Sequence, residues 1–217
     1  MKKFFKSLML ISVCLGLSAT VNAKTFRYAT TGDILGLDPH ANNEGPTNTM
    51  KGNIYGRMLH RKADLSLEPD LATKWEKLDA NTWRFSLRRG VKFHNGNDFN
   101  ADDVLFSYKR QTQEASDMSF ALATIKQINK VDDYTVDLIT KGPDPILLLN
   151  MPMFYIVDKE WIEANNAFEV VRASGSTNFA NVNTNGTGPF KVVEWIQDTR
   201  IVLEPFEGYW GKNQIQH

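Results

Sequence analysis

Asp38, His40 and Glu44 are the first residues in the chain that could do chemistry as a group. Carboxylate and imidazole are transition-metal ligands, but Pro39 and a turn-rich neighbourhood do not set these three at a fixed spacing on one helix or strand. No HExxH or Cys/His cluster occurs either, so no metal site is expected. Nucleophilic catalysis would need a serine or cysteine beside a base. Ser174-Gly175-Ser176 lies in a polar stretch without a partner motif, no Gly-x-Ser-x-Gly elbow occurs, and the four histidines are scattered. Gly186-Thr187-Gly188-Pro189 resembles a phosphate loop only superficially. It lacks the following Lys-Ser/Thr, and Pro189 removes a backbone donor that such a loop uses. No catalytic residue and no cofactor are expected. The chain does not read as an enzyme.

The elements that would position binding groups are clearest between Asp70 and Arg110. From Thr82 to Arg88, Trp83, Phe85 and Leu87 alternate with Thr82, Arg84, Ser86 and Arg88, the period of a half-buried antiparallel strand. Arg89-Gly90 turns the chain into a short strand, Val91–Phe93, and His94-Asn95-Gly96-Asn97 turns it again. His94, in that turn, reads as a structural hydrogen-bonding residue. Asn100 is a natural N-cap, with Asp102 and Asp103 in the first helical turn where carboxylates meet the positive end. Ala101, Val104, Leu105 and Tyr108 then recur at the spacing of a core-facing stripe.

Other elements are legible more coarsely. Thr25–Thr30 alternates and reads as a first strand. Asn42-Asn43-Glu44-Gly45-Pro46 is turn-rich, and a helix begins near Thr47 with Met50, Ile54 and Met58 on one face. Gly52 and Gly56 weaken that helix by about 1 kcal/mol each if they are interior. Ile125–Val131 and Tyr134–Thr140 flank a two-residue turn at Asp132-Asp133. Ile146–Asn150 reads as a short helix ended by Pro152, Met153–Val157 as a buried strand, and Asp158 as the cap of a helix carrying Trp161 and Ile162. The Ser-, Asn- and Gly-rich stretch 172–187 reads as a surface loop. Phe190–Ile196 and Ile201–Phe206 form a hairpin around Asp198-Thr199. Hairpins and helices without regular βαβ alternation give a mixed α/β (α+β) fold.

Composition sets further bounds. Lys2, Lys3 and Lys6, the apolar run Leu8–Leu17 and the short residues Val21-Asn22-Ala23 read as an export signal cleaved after Ala23. An uncleaved anchor and a lipoprotein built on Cys14 are the alternatives; Val13 before Cys14 suits the second poorly. Cleavage would remove the chain's only cysteine and three lysines, leaving 22 basic against 25 acidic residues. Such a cysteine-free exported protein suits a bacterial periplasm. With no basic field, nucleic acid is not an expected partner.

The Asp70–Arg110 segment resembles the signature of the family 5 extracytoplasmic solute-binding proteins. Trp75-Glu76, Asp79, Trp83, Phe85, Leu87-Arg88, Gly90-Val91-Lys92-Phe93-His94, Gly96, Ala101, Asp103-Val104, Ser107 and Arg110 carry that resemblance at fixed spacing. Leu37-Asp38-Pro39-His40 and Gly186-Thr187-Gly188-Pro189-Phe190 extend it. It implies a periplasmic-binding-protein fold (type II, cluster C), of which this sequence would be lobe I with an inserted subdomain and without lobe II. By the same resemblance, residues 24–55 and 166–217 form lobe I and 56–165 the insertion.

The implied function is to capture a peptide or other small solute between two lobes, as a monomer, and deliver it to ABC permease subunits in the inner membrane. A ligand-presenting sensor and a truncated, non-functional fragment are the rivals. Relatives run the segment after Leu-Asp-Pro-His along their cleft, which here is Asn42, Asn43, Glu44 and Gly45. Main-chain pairing with an extended peptide would give sequence-tolerant affinity there. The resemblance also places cleft positions at Phe120 and at Met153 or Phe154. A solvated loop carboxylate remains open for Glu44, and core packing for Phe120 and Phe154.

Overall fold

The computed structural model describes residues 25–30, 32–172 and 178–211. Its first regular element is helix α1 (Gly45–Ile54), followed by strands β1 (Leu59–Arg61), β2 (Leu67–Pro69), β3 (Ala72–Lys77) and β4 (Thr82–Leu87). Helix α2 (Ala101–Gln111), strands β5 (Ile125–Asp132) and β6 (Thr135–Thr140), and the short helices α3 (Leu147–Asn150), α4 (Lys159–Ala164) and α5 (Phe179–Val182) come next. Strands β7 (Phe190–Ile196) and β8 (Arg200–Pro205) close the described chain.

Among the described residues three antiparallel sheets result: β1-β2, β3-β4-β6-β5 and β7-β8. In the central sheet Phe85 faces Val136 and Trp83 faces Leu138. The alternation along β4 buries Phe85 and Leu87, and across the same strand pair Arg84 binds Asp137 through two hydrogen bonds of 2.8 Å. Helix α2 begins as its sequence dictates. The Asn100 side chain accepts from the Asp102 N–H, and the Asp103 carboxylate accepts from the Asn100 N–H, a reciprocal cap.

The apolar side chains divide into two cores. The larger joins Met58, Leu71, Phe85, Phe93, Val104, Leu138 and Phe154 under the central sheet. The smaller joins Ile34, Leu37, Met50, Ile54, Phe106, Tyr155 and Ile162, with Trp195 and Leu203 of the last hairpin packed against it. Helix α2 lies between them, with Val104 in the first core and Phe106 in the second. Its buried surface is therefore wider than the single stripe expected, and includes Asp103, Ser107, Arg110 and Gln111.

Several expectations need correction. Residues 25–30 carry no strand: Phe26 is 85% exposed, and no described strand lies beside them to complete a ladder. Val91–Phe93 makes only an isolated bridge, Lys92 to Asp98. Helix α1 ends at Ile54, so Met58 and Gly56 lie beyond it, and Met58 belongs to the other core. The β5–β6 register pairs Asp132 with Thr135, which moves the two-residue turn to Asp133-Tyr134. Pro152 does not end α3 outright, because a single 3-10 turn over Met151–Met153 continues it. Residues 154–156 run extended beside 56–58, through Met58 N–H to Phe154 O (3.2 Å) and Ile156 N–H to Gly56 O (3.1 Å), without forming a full strand.

The stretch 172–187 is not wholly a surface loop. It contains α5, and Asn181, Asn185 and Thr187 are buried. Ser174-Gly175-Ser176, the export signal and Cys14 lie outside the described residues.

Candidate functional site

Leu37-Asp38-Pro39-His40 is held by a residue far along the chain. Arg110 reaches out of α2 and grips Asp38 through Nη1 (2.8 Å) and Nη2 (2.5 Å), with both side chains fully buried. Its Nη1 also donates to His40 Nδ1 (3.0 Å), while His40 Nε2–H donates to the Tyr155 carbonyl (3.0 Å). That bonding fixes a neutral imidazole. Burial, reinforced by the Arg110 charge, lowers the His40 pKa to about 3. Burial alone would raise Asp38, but the charge and hydrogen bonds of Arg110 outweigh it and hold the carboxyl below its ordinary range. The first metal-ligand candidates are thus committed to structure, and Glu44 caps α1 by accepting from the Thr47 N–H (3.0 Å).

Among the described residues one other acidic group gathers, Asp103, Asp158 and Glu160, with ligand atoms within 4.8 Å of one another. Asp103 already accepts from Lys159 N–H and Asn100 N–H, and Asp158 from Trp161 N–H and the amides of Asn95, Asn97 and Asn185. The cluster works as a shared cap of two helices. Burial lifts Asp103 to about 7.

The stretch singled out as a cleft edge has free donors. Glu44 is extended (φ −144°, ψ 162°). The N–H groups of Asn43, Glu44 and Gly45 carry no hydrogen bond among the described residues. Asn43 and Gly45 are exposed, Glu44 is half-buried and Asn42 is buried. The Asn42 carbonyl accepts from the buried Lys51 ammonium, whose pKa is lowered to about 8, chiefly by burial. From this edge α1 leads into a cavity of about 330 Å³. Asn48 and Thr49 line it, and they hydrogen-bond back to Asn43 (2.8 Å) and Gly45 (3.0 Å). Met118, Pro152 and Met153 form further wall, with Arg57, Arg61 and Tyr155 completing it.

The expected residues therefore divide. Met153 lines this cavity, whereas Asn43 and Gly45 touch only its lining residues Asn48 and Thr49, and Glu44 caps the same helix. Phe120 is 49% exposed in the 3-10 turn Ser119–Leu122, two residues from the lining Met118. Phe154 is buried in the larger core behind Met153 and packs there, with no surface left for a solute. Arg57, Arg61, Tyr155, Asn48 and Thr49 were not singled out from the sequence. The available signal was two arginines four apart, just past a helix.

A larger cavity, about 450 Å³, lies elsewhere, between α4, α5 and β7. Leu37, Trp161, Phe179, Val182 and Trp195 line it, and the Trp195 indole N–H is buried without a partner among the described residues. None of the expected residues reaches it.

His94, in its turn, donates through Nε2 to the Gly188 carbonyl (3.1 Å) and accepts the Gly186 N–H at Nδ1 (3.3 Å). The Gly186–Gly188 segment lies flat on the end of α1: a Cβ on Gly186 would fall 2.0 Å from the Ile54 carbonyl oxygen. These glycines serve close packing and hold no phosphate loop.

Comparisons with known proteins agree with this architecture. The sequence profile described as "Bacterial extracellular solute-binding proteins, family 5 Middle" matches residues 66–217. The "Dipeptide-binding protein" of Escherichia coli (strain K12) is 32% identical, over 94% of this chain and 42% of that protein. "Heme-binding protein A" of Haemophilus influenzae is also 32% identical, over 86% of this chain and 37% of its own length. The structure of the periplasmic binding protein DppA from Helicobacter pylori in complex with the peptide STSA matches at a TM-score of 0.72 and 30% identity, covering 83% of this chain and 38% of that one. The chain spans less than half the length of these relatives. No helix among the described residues is long and apolar enough to cross a membrane. On the profile match and the shared fold, this chain belongs to the bacterial extracellular solute-binding proteins of family 5.

Proposed function

We propose that this chain forms one wall of a two-lobed periplasmic receptor that captures short peptides for an ABC importer. The observation that carries the reading is the run of unpaired N–H groups at Asn43–Gly45, hydrogen-bonded through neighbouring atoms to Asn48 and Thr49, which line the cavity walled by Met153 and Tyr155. An extended peptide can add its backbone to such an edge, and a roomy cavity beside it tolerates varied side chains. A peptide is favoured because one relative is a dipeptide-binding protein and the DppA structure holds STSA. In this reading residues 24–55 and 166–217 belong to lobe I and 56–165 is the inserted subdomain; the buried members of the larger core all fall within 56–165, while the smaller core joins the two parts through Phe106, Tyr155 and Ile162.

In this reading a second lobe closes over the wall and excludes water, which strengthens each polar contact to the solute. The solute then passes unchanged to membrane permease subunits, and the receptor is exported as a monomer after cleavage at Ala23. Isothermal calorimetry on the protein expressed from its complete reading frame, against di- and tripeptide mixtures, tests this. Saturable micromolar or tighter binding with peptides recovered intact is expected. Failure to bind any peptide, or recovery of cleaved products, overturns it.

A further inference from the structure

The cavity beside Asn43–Gly45 has a lopsided charge. Arg57 and Arg61 both line it, the buried ammonium of Lys51 sits at its edge over the Tyr155 ring (5.9 Å), and no carboxylate is among the lining residues. The cations are only loosely compensated. Arg57 Nε is 4.0 Å from Asp70 and is buried without a hydrogen-bond partner among the described residues. Its Nη2 turns to His60 Nδ1 (3.1 Å), which as a neutral imidazole nitrogen accepts but brings no charge. Asp70 therefore meets Arg57 Nε only at the outer limit of an ion pair, while burial, only partly offset by Arg57, raises its pKa to about 6. The nearby Glu68 is turned toward His60 (3.8 Å) and Lys62 (3.4 Å). Arg61 holds the Leu149 carbonyl through Nη2 and is otherwise exposed. A guanidinium prefers a planar anion that accepts two parallel hydrogen bonds.

We infer that Arg57 and Arg61 form an anion-receiving subsite that selects solutes bringing a carboxylate to this end of the cleft. The inference rests on the peptide-binding reading and narrows it. The carboxylate could be an acidic side chain or a chain terminus, which share the same chemistry. Charge selection of this kind discriminates by leaving the cations unpaired when the wrong ligand enters.

Three dipeptide ligands and one non-peptide pair separate the outcomes, titrated by calorimetry on the protein from its complete reading frame. They are Ala-Glu, Ala-Gln, Ala-Gln amide, and glutarate with glutaramide. Preference for Ala-Glu over Ala-Gln by about tenfold, a difference of about 1.4 kcal/mol, supports a side-chain carboxylate. The same preference for Ala-Gln over its amide supports the terminal one. In Arg61→Gln, and in Arg57→Gln,Arg61→Gln, that ratio should collapse toward one. Because Arg57→Gln strips Asp70 of its cation, the exposed Arg61 variant keeps the test readable if the double variant fails to fold. Equal affinity across every pair, or a preference that persists in Arg61→Gln and the double variant, overturns the inference. Glutarate favoured over glutaramide with no peptide bound would keep the anion subsite and overturn the peptide reading. Binding of none overturns both.

Discussion

Arg110 and Asp38 form a two-pronged ion pair, 2.8 and 2.5 Å, with neither side chain exposed. They lie 72 residues apart, and the pair fastens the segment before α1 to the last turn of α2. Stripping one partner from a buried pair leaves a charge without compensation, at a cost of about 3–5 kcal/mol. Arg110→Met and Asp38→Asn should each lose that much in urea unfolding, while the double variant loses less than their sum. Additive losses would show that the two side chains act independently.

Phe154 and Met153 are neighbours with different surroundings, one buried in the larger core and one half-buried on the cavity wall. Phe154→Ala should destabilise by about 3–5 kcal/mol. Met153→Ala should cost far less stability, and its effect should fall on solute affinity. Thermal unfolding and calorimetry on both variants check this; the reverse pattern would move the cavity wall.

Gly186→Ala should destabilise by about 1–3 kcal/mol, since its Cβ meets backbone and not a flexible side-chain tip. Gly142→Ala, with nothing within 4 Å of the new methyl, is the control. Equal unfolding midpoints for the two variants would sink the packing role assigned to Gly186.

Stability should respond to pH through opposed groups. His40 and His94 titrate near 3 and 4 when folded, below their ordinary 6.5, so acidification from 6.5 destabilises through them. Asp103 and Asp70 titrate near 7 and 6 when folded, above their ordinary 3.8, so the same acidification stabilises through them. Asp103→Asn removes one of the second kind. Between pH 5 and 7 its stability relative to wild type should therefore improve with rising pH, by up to about 1.4 kcal/mol per unit. Urea unfolding at pH 5, 6 and 7 measures it, and a constant offset would mean that Asp103 is ionised throughout.

Local patterns carried much of the fold. The Asn100–Asp103 cap, the alternation of β4 and the β7–β8 hairpin depend on neighbours within a few residues, so residue type and spacing suffice to read them. Elements that depend on distant partners were less legible. Residues 25–30 alternate like a strand yet have no described strand partner, and Arg110 has no evident partner in the sequence until the fold places Asp38 beside it. The binding wall divided the same way: Asn43–Gly45 came from a family resemblance, while Arg57 and Tyr155 meet only when residues 57 and 155 form a bridge.

The Gly56 N–H donates to Thr187 Oγ1 and the Gly188 N–H to the Ile54 carbonyl, so the end of α1 is sealed by residues some 131 positions later. A ribosome adding 5–20 residues per second needs roughly 7–26 s to deliver them. Through that interval the emerging N-terminal region cannot complete its packing. A secretion channel that accepts only unfolded polypeptide would have that long to engage it.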